Sequence, residues 1–68
     1  MTPNQKTMYR MLHDAGRLKT DEWNDLAREA GIGERRRADL VDIRKALIDK
    51  RLIKMVGADE WGINHVTD

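Results

Sequence analysis

Residues 53–64 read "IKMVGADEWGIN". "IKMV" at 53–56 has strand character, Gly57-Ala58-Asp59 carries turn chemistry, and "EWGIN" at 60–64 can return as a second strand. A hairpin at this point decides the fold. Without it the chain reads as three helices in a row; with it, the last helix feeds a two-stranded ribbon over about 53–64.

The helices lie upstream. Thr2-Pro3 is a helix start, with a hydroxyl at the N-cap and proline at the first helical position. Met8, Met11, Leu12 and Ala15 repeat on one helical face, and Gly16 ends the run, so helix one spans about 3–15. Arg17-Leu18-Lys19 suits either a small strand or an extended link. Thr20 offers a second N-cap, with Asp21 and Glu22 where the helix dipole favours acids. Trp23, Leu26, Ala27 and Ala30 then mark helix two, about 21–30. Gly31 closes it, and Ile32 is placed for a hydrophobic capping contact. Helix three is expected over about 35–50, with an apolar stripe of Leu40, Ile43 and Leu47 widened by Val41 and Ile48. Asn64 to Asp68 read as a frayed tail.

Sixty-eight residues make at most one domain, spanning 1–68. Such a chain buries only about 60% of its unfolded surface, so its stability is marginal. The chain has no cysteine and therefore no disulfide or thiolate metal site. No apolar run approaches the ~20 residues of a membrane span, and "MTPNQKTMYR" lacks a signal-peptide core. These features lead us to expect a cytoplasmic setting, as a whole protein or as a domain of a longer one.

Net charge is only +1, but the charge is unevenly spread. Residues 1–32 balance. Residues 33–54 hold Arg35, Arg36, Arg37, Arg44, Lys45, Lys50, Arg51 and Lys54 against four acids, and residues 55–68 have no Lys or Arg. A basic concentration in one element is a weak nucleic-acid signal.

The order helix, short strand, helix, helix, hairpin resembles a winged helix-turn-helix, a mainly α fold of three helices plus a two-stranded wing. "LAREAGI" at 26–32 is similar to the first helix and turn of a helix-turn-helix. "ALIDKRLIKM" at 46–55 is similar to the exit of the recognition helix into the wing. The chain departs from the family in two places. The connection from Gly31 to Leu40 is longer than usual, and Arg51 stands where the family often has glycine, so a less sharp helix end is expected. The resemblance implies duplex DNA as partner, in transcription regulation or DNA replication, as in a phage or plasmid regulator. The opening helices also look loosely like winged-helix tails of replication helicases and primases.

On that resemblance helix three lies in a major groove. Arg35, Arg36 and Arg37, at the helix entry with its free N–H groups, grip phosphates, while Lys45 reaches toward bases. Lys54 at the wing base touches at most one phosphate. Against this, the outward face expected for helix three is Arg35, Ala38, Asp39, Asp42, Lys45 and Asp49, half of it acidic, and a charged helix face is most often merely solvated. The wing tip is also acidic at Asp59-Glu60, where groove-entering wings carry Arg or Lys. A protein-interaction module, with a partner subunit or a second copy of itself, is the alternative.

Arg44 falls inside the apolar arc. Either its stem lies along the core with its head snorkelling out, or it pairs with an acid of helix one such as Asp14. Trp23 and Trp61 are read as packing residues. No enzyme activity, cofactor, metal or small-molecule ligand is expected. There is no Ser or Cys nucleophile. His13 and His65 are isolated, and "GIG" at 31–33 is too little for a phosphate loop.

Overall fold

The computed structural model describes residues 1–65. Its elements, in chain order, are α1 (Pro3–Ala15), β1 (Arg17–Lys19), α2 (Thr20–Glu29), α3 (Ala38–Asp49), β2 (Ile53–Gly57) and β3 (Glu60–Ile63). The strands form one antiparallel sheet in the order β1-β3-β2. The hairpin therefore gains a third strand, and residues 17–19 are resolved as strand rather than link. Leu18 stands opposite Trp61, and Met55 stands opposite Trp61 from the other side.

Local chemistry explains most boundaries. Thr2 caps α1 reciprocally: the Gln5 N–H donates to Thr2 Oγ1 at 3.2 Å, and the Thr2 N–H donates to Gln5 Oε1 at 3.2 Å. Gly16 leaves α1 at φ 84°. α2 begins one residue earlier than its sequence suggests. Lys19 is the cap, its N–H donating to Glu22 Oε1 at 3.1 Å. The Thr20 hydroxyl is engaged elsewhere.

After α2 the Ile32 N–H reaches back to the Ala27 carbonyl at 2.9 Å, with Gly31 at φ 85°. Ile32 is thereby buried in the core, as the capping reading expected. Gly33 follows at φ 79°. A Cβ there would lie 2.8 Å from Leu40 Cγ, so only glycine lets the chain pass over Leu40. This turn, running on through Arg37, occupies the long connection seen in the sequence. α3 starts at Ala38, not at 35, because the arginines belong to the turn. No Ser, Thr, Asp or Asn stands in 34–37 to cap an earlier start.

The core comprises Met8, Leu12, Leu18, Trp23, Ala27, Ile32, Leu40, Ile43, Leu47 and Ile53. The apolar stripes read from sequence are wider than the stripes actually buried. Ala15 and Ala30 are exposed. Leu26 is 37% exposed, Val41 47% and Ile48 41%. A domain of this size has too few elements to cover a broad stripe on every helix. Asn64 is not frayed: its N–H donates to the Leu52 carbonyl at 2.9 Å and its Nδ2 to the Arg51 carbonyl at 3.2 Å. The rest of the expected tail, 66–68, lies outside the described residues. Among the described residues no helix is long and apolar enough to cross a membrane.

Candidate nucleic-acid interface

Arg35, Arg36 and Arg37 are all exposed, in the turn that delivers the chain to α3. Their backbone shapes that turn. The Arg36 carbonyl accepts from the Asp39 N–H and the Arg37 carbonyl from the Leu40 N–H, both at 3.1 Å. These bonds consume amides that a phosphate would otherwise use. The expected grip through free N–H groups at the helix entry is thus reduced, and anion binding here falls to the guanidinium side chains. Arg36 Nε lies 3.9 Å from Asp39 Oδ1, an exposed arginine beside a half-exposed carboxylate. A surface pair of this kind contributes about 0–1 kcal/mol and releases its arginine easily.

Arg37 has helical backbone angles, φ −60° and ψ −31°, so its side chain continues the rows of α3. Lys45 is exposed on α3, two turns further along. Four of the five expected residues therefore lie on one continuous stretch, the turn and the helix it opens. Lys54 is exposed on β2, opposite Gly62, and belongs to a different element.

The expected outward face of α3 needs two corrections. Arg35 is not on the helix, and Asp39 is half-buried. At ~100° per residue the observed face has Ala38 and Asp49 on its crest, Lys45 and Asp42 on either side of them, and Val41 and Ile48 further round on the side of Lys45. All six are exposed.

The hairpin is tied back to the helices. Asp59, at φ 55°, holds the left-handed position of the turn. Its Oδ1 accepts from the Thr20 hydroxyl at 2.6 Å, and its carbonyl accepts from the Thr20 N–H at 3.0 Å. The same hydroxyl accepts from Trp61 Nε1 at 2.8 Å. Glu60 accepts from Arg17 at 3.4 Å. Both acids of the hairpin turn thus have partners within the chain, which softens their repulsion of an approaching anion.

Of the two alternatives drawn from sequence for Arg44, pairing with Asp14 is not found among the described residues; the residue as a whole is buried, with its stem in the core. The guanidinium carbon lies 5.1 Å from the Trp23 ring centroid and 5.7 Å from that of Trp61. Nη2 donates to Asn24 Oδ1, and Nε has no hydrogen-bond partner among the described residues. Burial pushes the Arg44 pKa down from its ordinary value, and the Asp59 carboxylate partly offsets that shift. Trp23 and Trp61 are packing residues, as expected, and lie against each other with centroids 6.4 Å apart. No sequence signal pairs position 44 with 24 or 61, because those contacts exist only after the hairpin folds back.

A shallow depression on α1 is lined by Met1, Lys6, Tyr9, Arg10, His13 and Asp14, none of them an expected site residue. Among the described residues no group of three or more His, Cys, Asp or Glu is placed to hold a metal. Comparison with protein-family models, with curated proteins and with solved structures gives no match.

Proposed function

We propose that this chain is a DNA-binding module of winged helix-turn-helix type, which lays α3 in the major groove and holds the backbone with the arginines preceding it. The observation that carries the reading is the position of Arg35, Arg36 and Arg37. All three are exposed, and they stand at the N-terminal end of a helix whose outward face includes Lys45. The sheet order β1-β3-β2 supports it, since a hairpin that returns beside a strand following helix one is the layout of that fold. Lys54 adds one phosphate contact from the base of the hairpin.

Arginine suits this role because its planar fork meets two phosphate oxygens at once and its hydration is weak. Each phosphate neutralised releases counterions, so affinity falls with salt at a log–log slope of about −0.9 per contact. Fluorescence anisotropy of a labelled mixed-sequence duplex across a salt series tests this. The wild-type chain gives a steep slope. Replacing Arg35, Arg36 and Arg37 by Ala makes it shallower by about 2–3. The three side chains are exposed, so the variant retains its fold. Equal slopes for both chains overturn the assignment of the arginines.

A second reading is a module that binds a protein partner or a second copy of itself. Asp42 and Asp49 on the outward face of α3 favour it, because carboxylates repel phosphate. Absence of duplex binding at low salt puts this reading first.

A further inference from the structure

Asp42 and Lys45 lie on either side of the crest of α3, ~4.5 Å apart along its axis. Both are exposed. Ala38, on the crest one turn before Asp42, has only a methyl group, so nothing bulky beside them holds these two side chains off a surface laid against the helix. We infer that Asp42 is a specificity-determining residue that accepts a hydrogen bond from the N4 amino group of a cytosine in the major groove, while Lys45 donates to the guanine of the same or the adjoining base pair. This rests on the reading of α3 as the groove-entering helix.

Position, pairing and chemistry lead there. A helix in the major groove turns its outward side to the base edges and its flanks to the two phosphate strands. Asp42 and Lys45 stand ~30° from that outward direction, so Asp42 meets bases before it meets phosphate. Both charges are also unspent. Asp39 is held by Arg36, but neither Asp42 nor Lys45 forms an ion pair among the described residues, although their spacing of three allows one. A carboxylate only accepts. Guanine N7 and O6 and thymine O4 are acceptors and repel it. Adenine N6 donates, but N7 beside it repels. Cytosine N4 donates with no acceptor next to it on its own base. An ammonium only donates, and guanine offers it N7 and O6. The two side chains together thus complement the edge of a G·C pair. Asp49 stands at the C-terminal end of α3, the end farther from the bases in this kind of docking, and the exposed Lys50 and Arg51 beside it offset its charge.

The test begins with in vitro selection of duplexes from a randomised pool by the full chain. Each cytosine of the selected duplex is then replaced in turn by N4-methylcytosine, which still pairs with guanine and puts its methyl where the groove-facing N4 proton was. At one position the replacement weakens binding about five- to tenfold, the loss of one hydrogen bond to a charged group. In the Asp42→Ala chain that position loses its sensitivity to N4-methylation. The variant binds every duplex more tightly because a negative charge is gone, so the ratio between the two duplexes is the readout. Asp42 is exposed, and circular dichroism checks that the variant is folded. Salt-sensitive binding in which no cytosine responds to N4-methylation, or in which the response survives in Asp42→Ala, overturns the inference and leaves the proposed function standing. No salt-sensitive duplex binding at all overturns both.

Discussion

Arg51 shows how a single residue can do work usually left to glycine. α3 ends at Asp49, and Arg51 takes φ 61°, the left-handed conformation that closes a helix. The Leu52 N–H then reaches the Leu47 carbonyl at 3.0 Å, and the Arg51 N–H reaches the Ile48 carbonyl at 2.9 Å. The helix therefore stops as sharply as a glycine would stop it, contrary to the softer end expected from an arginine there. An L-residue in this conformation is strained by about 1–2 kcal/mol, and glycine adopts it freely. Part of that gain is cancelled by glycine's freer unfolded chain, which costs about 0.4–1 kcal/mol. Arg51→Gly is expected to stabilise by about 0.5–1 kcal/mol, a rise in Tm of several degrees for a domain this small. Thermal denaturation followed by circular dichroism measures it. An unchanged or lower Tm means that the Arg51 side chain stabilises the fold through its own contacts.

Among the elements, the hairpin is the one whose position rests on side chains far away in sequence. Thr20 gives its hydroxyl proton to Asp59 and receives the indole proton of Trp61. Thr20→Val keeps the shape and removes both bonds. A half-buried indole N–H left unpaired costs about 1–3 kcal/mol. The expected result is a lower urea midpoint, together with faster amide exchange in β2 and β3 than in α1; uniform loss of protection along the chain contradicts a hairpin-specific tie. This tie marks the limit of what the sequence showed. α1 was legible to the residue because its cap, proline and terminal glycine are local signals. The hairpin was legible through its turn residues. The start of α3 was misplaced because the arginines look helical while nothing beside them announces a cap. The flank of Val41 and Ile48 was misread because periodicity gives the direction of an apolar stripe but not the width that neighbours can cover. At the candidate site, exposure of the arginines and of Lys45 followed from their type. The bonds closing the turn over the Asp39 and Leu40 amides had no such signal.

Across the whole molecule, the buried arginine adds a polar link between three elements that the apolar core also joins. Arg44 brings α3 against Trp23 and Asn24 of α2 and Trp61 of β3. Trp23 in turn donates its indole proton to the Met8 carbonyl of α1 at 3.0 Å. Desolvation makes a charge in this place costly, as the lowered pKa of Arg44 indicates, and the two rings, Asn24 and Asp59 offset that cost. The balance can be probed from both sides. Arg44→Ala opens a void between the rings and is expected to destabilise by about 2–4 kcal/mol. Arg44→Met fills the space with an unbranched apolar chain and removes the charge, so its stability is expected to match or exceed the wild type. Because both tryptophans sit in this cluster and the helices join it, urea curves from tryptophan fluorescence and far-ultraviolet circular dichroism are expected to coincide in all three proteins. Fluorescence that changes well ahead of circular dichroism in Arg44→Ala identifies the cluster as a local feature. A large loss in Arg44→Met shows instead that the charge itself, through its rings and its amide partner, holds the elements together.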